Sequence, residues 1–231
     1  MMIVSHRIIE NIVRLYTITS LVKAINARDD YTMSHCERVT SYAVRLAEYI
    51  DCSDEVIDAL CFAGPIHDVG KIGVRDEILL KPTVLDSGER DIMQDHVTIG
   101  DEIVKHLNLG HLEYAIMHNH HERFDGNGYP DRLKGNEIPL VARIASVVDA
   151  YDAMIADRPY RPAMSHEESV AELLRCRGTQ FDGELVNTFI EHGIYKEEDG
   201  QFDEKPYLSK EINSLEQTIS HPLKQLYAYT A

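Results

Sequence analysis

The stretch His120-His121-Glu122 sets two adjacent imidazoles beside a carboxylate. Arg123-Phe124-Asp125-Gly126-Asn127-Gly128-Tyr129-Pro130 then breaks into a turn with two glycines and a Tyr-Pro corner. A predicted helix that ends in a metal-competent pair and then exposes a tight loop reads as the rim of an active site. Further candidates lie along the chain. His35 closely follows Asp29-Asp30-Tyr31-Thr32, His67-Asp68 leads to Gly70-Lys71, and His96 falls inside a predicted helix. Asp149 stands between Val147-Val148 and Ala150. A carboxylate in so apolar a run must be paired, hydrogen-bonded or metal-bound, because burying it bare is costly. A single histidine in a helix is ordinarily a core or surface residue, so the case rests on the set.

These residues need elements to position them, and the apolar periodicity supplies helices. It predicts one over residues 5–27, with Ile8, Ile12, Leu15, Val22 and Ile25 on one face, packed on the domain or forming a dimer seam. A second runs over 34–50 with Ser34 as its N-cap, and Ser53 opens a third that leads to Gly64-Pro65 and His67-Asp68. Ser87 is the expected N-cap of a long helix to about His106. Arg90 stands where a capping box would want Glu or Gln, so no box is expected. Helix 111–121 delivers His120-His121, an apolar helix over 141–155 carries Asp149, and two more follow at 165–176 and 183–193. No alternating apolar run is long enough for a sheet. The expected fold is an all-α helical bundle, with residues 1–27 as an N-terminal helix, 28–194 as the catalytic domain and 195–231 as a polar extension.

Composition narrows the function. The chain is 44% hydrophobic and 27% charged, as a water-soluble globular domain is. No apolar run is long enough to span a bilayer, and the N-terminus has neither the unbroken apolar core nor the cleavage site of a signal peptide, so a cytoplasmic location is expected. Cys36, Cys52, Cys61 and Cys176 lack CxxC spacing and read as small buried hydrophobes in a reducing compartment. A formal charge of −16 argues against binding nucleic-acid backbones. From His120 to Arg161, however, seven carboxylates face six lysines and arginines. Bound cations would reverse the sign there, so an anionic substrate suits this chain only at a metallated site.

Together these residues resemble the HD phosphohydrolase superfamily and, within it, the HD-GYP family of bacterial cyclic-dinucleotide phosphodiesterases. The similarity runs from about Ile25 to Phe189. His67-Asp68-x-Gly70-Lys71 matches the family's HDxGK, and His120-His121-Glu122-x-x-Asp125-Gly126-x-Gly128-Tyr129-Pro130 matches its HHExxDGxGYP. Asp149-Ala-Tyr-Asp-Ala, Arg158-Pro-Tyr-Arg161, Lys81-Pro82 and the Phe181-Asp182 corner also fit. The resemblance implies that His35, His67, Asp68 and Asp149 hold one metal, that His96, His120 and His121 add a second, and that Asp68 bridges them. It implies two divalent ions, iron or manganese first, with zinc, nickel or magnesium as further candidates; nitrogen and oxygen ligands without thiolate suit such ions. Asp68 and Lys71 would be catalytic. Tyr129, Arg158 and Arg161 would contact substrate, and Glu122, Asp125, Gly126, Gly128 and Pro130 would shape the loop.

Some members of the family bind a third metal through a Glu four residues before the first ligand histidine. Tyr31 stands there in this chain, which predicts two metals and puts the second hydrolytic step in question. The implied activity is hydrolysis of cyclic-di-GMP to linear pGpG and on to GMP, in a stand-alone domain that takes its input through the N-terminal helix, oligomerisation or a partner such as a sensor or diguanylate-cyclase protein. One alternative is another HD-type phosphohydrolase acting on a different cyclic dinucleotide or nucleotide. The other is a weak or quiet module that binds the dinucleotide or docks a cyclase.

Overall fold

A computed structural model describes residues 2–28, 31–157 and 161–196, with side chains from Val13 onward except at 26 and 31–33. The all-α expectation holds: among the described residues there are helices and 3₁₀ turns and no strand. The helices are α1 (Met2–Asn26), α2 (Tyr31–Tyr49), α3 (Asp54–Ala63), α4 (Asp76–Leu79), α5 (Ser87–Gln94), α6 (His96–Val104), α7 (His111–Asn119), α8 (Leu140–Ile155), α9 (His166–Arg175) and α10 (Gly183–Glu191). Two 3₁₀ turns, Gly64–Ile66 and Val69–Gly73, flank His67-Asp68. Leu21–Lys196 forms one compact unit; Met2–Ser20 belongs to another.

The larger unit is built around α8. Val141, Ala142, Ile144, Ala145, Val147, Val148 and Tyr151 are all buried, so this helix has almost no solvent face. Each large aliphatic side chain buried this way contributes about 1.5–3 kcal/mol. That surplus lets the helix tolerate Asp149 and Asp152 in its midst. Helix α2 packs on α8 and on the turn Gly64–Ile66, α3 lies against α2 and α7, and α7 touches α6 and α8. The turn Val69–Gly73 seats against α6. The elements carrying His35, His67-Asp68, His96, His120-His121 and Asp149 thus converge on one region.

Several expected boundaries move. Helix α2 begins at Tyr31, a turn earlier than Ser34, because no glycine or proline interrupts Tyr31-Thr32-Met33. Ser53 does sit at the N-cap of α3, but only its carbonyl serves, accepting the amides of Val56 and Ile57; its hydroxyl makes no cap bond. The cap of α5 is Asp86 rather than Ser87. With the register moved by one, Glu89 becomes the third helical residue and completes a capping box, Asp86 accepting from Glu89 N–H and Glu89 from Asp86 N–H, both at 2.9 Å. The long helix to His106 is broken at Asp95. There the His96 ring takes the Met93 carbonyl at 2.8 Å, an acceptor an unbroken helix would give to the amide of Val97. Helix α7 ends at Asn119, which leaves His120 as its C-cap and His121 in the following turn. The extension beyond Lys196 and the side chain of Tyr31 lie outside the described residues, as does Arg158.

Candidate metal centre

One ring nitrogen each of His35, His67, His96 and His120 is anchored, and that decides where the other points. Nδ1 of His67 lies 2.7 Å from the Gly64 carbonyl, Nδ1 of His96 2.8 Å from Met93, and Nδ1 of His120 2.9 Å from Met117. In each case the acceptor is a main-chain oxygen three residues upstream, supplied by the end of a helix or the turn that follows it. A carbonyl has no proton to give, so Nδ1 must be the donor and Nε2 carries the ring's other valence inward. His35 uses a carboxylate instead: its Nδ1 is 2.7 Å from Asp152 Oδ2.

The inward atoms converge on Asp68. His96 Nε2 lies 3.3 Å from Asp68 Oδ1 and His120 Nε2 4.0 Å from the same oxygen. On the other oxygen, His67 Nε2 is 3.4 Å away and His35 Nε2 4.0 Å. Asp149 closes this second group, with Oδ1 3.1 Å from His35 Nε2 and 3.9 Å from His67 Nε2. His121 packs at 4.0 Å centroid distance from His120 and 5.0 Å from His96. Two sets of ligating atoms, each mutually within 4.8 Å, therefore share one carboxylate: Asp68 with His96, His120 and His121, and Asp68 with His35 and His67.

The donor chemistry of this cluster fits divalent metal. His67 Nε2, His96 Nε2, His120 Nε2 and Asp68 Oδ1 are all buried and make no hydrogen bond. Four such atoms facing one another would each cost about 1–3 kcal/mol if nothing met them. Nitrogen and oxygen donors with no thiolate suit first-row divalent ions, and a shared carboxylate offsets the repulsion of two cations.

The electrostatics agree. Burial pushes His120 well below the usual imidazole range, and burial with the neighbouring His96 pulls His121 down to about 3, so both rings are neutral at pH 7. His96 is lowered for the same first reason. His67 goes the other way. Burial opposes its charge, but the carboxylates of Asp68 and Asp149 outweigh it and raise the ring to about 9. That ring sits where the negative field asks for a cation. Burial also opposes the charge of Asp68, yet Lys71 and His67 hold its carboxyl well below the ordinary range. Lys71 Nζ is 2.5 Å from Asp68 Oδ2. Arg28, unremarked in the sequence, fixes the turn that presents Lys71: its guanidinium donates to the carbonyls of Ile72 and Val74 and pairs with Asp76.

An open cavity of about 250 Å³ adjoins the cluster, lined by His120, His121, Asp149, Tyr129, Arg123 and the amides of Gln94, Asn127 and Gln180. Tyr129 stacks on His121 at 4.8 Å with ring planes 27° apart and is followed by a cis bond to Pro130. Burial, with Asp68 and Asp149 nearby, keeps its phenol protonated. Glu122 is committed to the loop rather than to the histidine cluster. Its buried carboxylate accepts the amides of Asp131 at 2.7 Å, Arg132 at 3.0 Å and Leu133 at 3.1 Å, which ties the loop back on itself. Asp125 pairs with Arg123 at 2.7 Å and accepts the Asn127 amide at 3.0 Å. Gly126 holds a left-handed φ of 84° that favours glycine. At Gly128 a Cβ would fall 2.3 Å from the Arg123 nitrogen. Both loop glycines are thus required by the chain's path.

Nη2 of Arg161 donates to the carbonyls of Ala153 and Met154 at the end of α8, and its Nη1 is buried without a hydrogen bond. His118 of α7 bridges Asp101 at 2.6 Å and Asp131 at 3.1 Å, joining α6 to the loop. Asp152 and Arg38 were missed by the sequence reading. The signal was their spacing, each three residues after a candidate ligand, Asp149 and His35.

Residues 19–185 match the HD domain family. The chain belongs to the HD-domain family. It is 39% identical over 175 residues to 3'3'-cGAMP-specific phosphodiesterase 2 of Vibrio cholerae, covering 75% of this chain and 34% of that protein. It is 41% identical over 165 residues to a cyclic di-GMP phosphodiesterase of Thermotoga maritima, covering 71% of this chain and 45% of that protein. The chain therefore spans a third to a half of the length of these relatives. A crystal structure of a cyclic GMP-AMP-specific phosphodiesterase of V. cholerae superposes with a TM-score of 0.61 at 19% identity, over 87% of this chain and 53% of that one, a likeness of fold. The resemblance to HD-GYP phosphodiesterases stands on these matches. No helix among the described residues is long and apolar enough to cross a membrane.

Proposed function

We propose that this chain is a metal-dependent phosphodiesterase that hydrolyses a cyclic dinucleotide, cyclic-di-GMP in the first instance, to the linear dinucleotide pGpG and more slowly to GMP. The observation that carries the reading is the sharing of Asp68 by two histidine sets beside an open cavity. His35, His67, Asp68 and Asp149 would hold one divalent ion, and His96, His120 and His121 with Asp68 a second, iron or manganese by preference. Such ions offset charge on a phosphodiester and acidify water beside it.

The chain's own residues do the rest. Lys71 places its ammonium against Asp68, where it offsets charge that grows on phosphorus oxygens. As a water oxygen bonds to phosphorus and one ester P–O bond breaks, the departing oxygen needs a proton, and Lys71 or a water it orients supplies it. Tyr129, fixed on His121, gives a neutral flat wall for a base or ribose, and Arg123 with Gln94, Asn127 and Gln180 offers hydrogen bonds to base edges. Arg158 and Arg161 complete the substrate contacts in this reading. Residues 28–194 form the catalytic domain, and the N-terminal helix and 195–231 receive input or pair with a second copy or a signalling partner.

A second substrate has specific support. One of the relatives is named for 3'3'-cGAMP, and amide side chains serve adenine as well as arginine serves guanine. The test is turnover by protein purified without oxygen and loaded with Fe²⁺ or Mn²⁺. Cyclic-di-GMP, 3'3'-cGAMP and cyclic-di-AMP are offered at equal concentration, and products are resolved by chromatography. Release of pGpG with cyclic-di-GMP preferred is the expected result. Preference for 3'3'-cGAMP moves the substrate, and no turnover of any of the three by metal-loaded protein sinks the enzymatic reading in favour of a binding or docking module.

A further inference from the structure

The mechanism above leaves one fully buried carboxylate unused. Asp152 has no solvent exposure and lies in α8 among buried apolar side chains. Its Oδ2 is 2.7 Å from His35 Nδ1, and the guanidinium of Arg38 grips both oxygens, Nε at 2.5 Å from Oδ1 and Nη2 at 2.9 Å from Oδ2. Asp149 and Asp152 are three residues apart on α8, and His35 and Arg38 three apart on α2, so each pair shares a helix face. Helix α8 therefore addresses both nitrogens of one ring: Asp149 Oδ1 stands 3.1 Å from Nε2, and Asp152 stands behind Nδ1.

We infer that Asp152, held by Arg38, is the positioning residue that fixes the Nδ1–H tautomer and the orientation of His35, so that Nε2 is presented to a metal. The carboxylate is an acceptor only, so the proton of a neutral His35 ring must sit on Nδ1. Without it the ring could place its proton on Nε2 and turn its donor toward Asp149, a neutral His35 unable to ligate. Arg38 fixes the Asp152 carboxylate in place by gripping both of its oxygens. A buried ion pair is a weak source of stability, so stability alone does not account for this one. The other three anchored rings take main-chain carbonyls, and His35, the fifth residue of α2, takes the Asp152 side chain for the same task.

The inference rests on the cluster being a metal site, and the test separates the two. Mn²⁺ or Zn²⁺ affinity of the metal-stripped full chain is measured by chelator competition for wild type, Asp152→Asn and Arg38→Gln. In parallel, ¹⁵N-histidine spectra of the metal-free protein read the tautomer of each ring. The expected result is a loss of affinity of about 10- to 100-fold in Asp152→Asn. Arg38→Gln should lose less, and the His35 signal should leave the Nδ1–H form in Asp152→Asn while His67, His96 and His120 keep their tautomers. Unchanged affinity with His35 still in the Nδ1–H form overturns the inference. If Asp152→Asn fails to fold by circular dichroism, Arg38→Gln decides, since its side chain reaches solvent; unchanged affinity and tautomer there overturn the inference equally. A wild-type chain that takes up no divalent metal sinks the metal reading instead, and the metal-free tautomer measurement still decides what Asp152 does.

Discussion

Gly70 lies so close to the main chain of His96 that a Cβ built on it would fall 1.7 Å from the His96 carbonyl oxygen and 2.5 Å from the Gly100 nitrogen. The glycine of the HDxGK stretch is therefore the contact that lets the turn carrying Asp68 and Lys71 seat on α6. Gly70→Ala is expected to push the two elements apart, with a loss of at least about 1–3 kcal/mol in a denaturant melt, the range for overpacked cores. Metal content after anaerobic purification should fall with it, because His96 and Asp68 would separate.

Asp68 belongs to both ligand sets. Asp68→Asn is nearly isosteric and keeps the packing, yet it removes the one negative charge that two cations would share. Both metal equivalents should be lost together, and activity should drop beyond the roughly 10- to 100-fold typical of removing an outer partner. Elemental analysis of the purified variant, set beside its turnover, checks this; a variant that keeps one full equivalent contradicts the sharing.

Lys71 separates from the ligands in another way. Lys71→Met removes the ammonium 2.5 Å from Asp68 without touching a metal-ligating atom. Turnover should fall by about 10²- to 10⁴-fold, as for loss of a proton donor, while metal content is retained. A fall in KM-independent rate with intact metal supports the proton-delivery role; loss of metal would make Lys71 a partner of the centre instead.

The Arg123–Asp125 pair at the cavity yields a pH prediction. Arg123 holds the Asp125 carboxyl down to about 2. A carboxylate lowered on folding adds stability above its ordinary pKa and loses it as the pH falls through the folded value. The pairing is thus intact above about pH 4 and fades toward pH 2. The pair is partly exposed, so its effect on global stability is small. Carbon-detected titration of Asp125 should give the low value in wild type and a return to the ordinary carboxylate range in Arg123→Ala.

Much of this was legible from residue types and order. The helices follow apolar periodicity, and buried α8 announced itself through eight apolar positions around one carboxylate. The seven candidate ligands do come together, because the elements that bear them pack as neighbours. Helix boundaries were less legible. The cap of α5 moved by one residue because Asp86 and Ser87 are both good caps and only Glu89 decides between them. The break before α6 depends on a side chain, His96, taking a main-chain acceptor, an exchange that periodicity cannot express. Asp152 and Arg38 escaped because the contact between them joins residues 114 apart in sequence. Arg161 was given to substrate by its motif; its Nη2 holds the end of α8 and its Nη1 is buried without a hydrogen bond, an arrangement that motif order does not express.

Glu122 closes residues 122–133 into a ring, with its carboxylate as the clasp. The two histidines just before the ring are held by separate means, His120 through the end of α7 and His121 through its stacking with His120 and Tyr129. The ring is a closed unit: the clasp ties its two ends together, Gly126 makes its turn, and Arg123 and Asn127 within it line the cavity. In the proposed reading, a change at Arg123 or Asn127 alters the cavity wall and leaves the anchors of His120 and His121 in place.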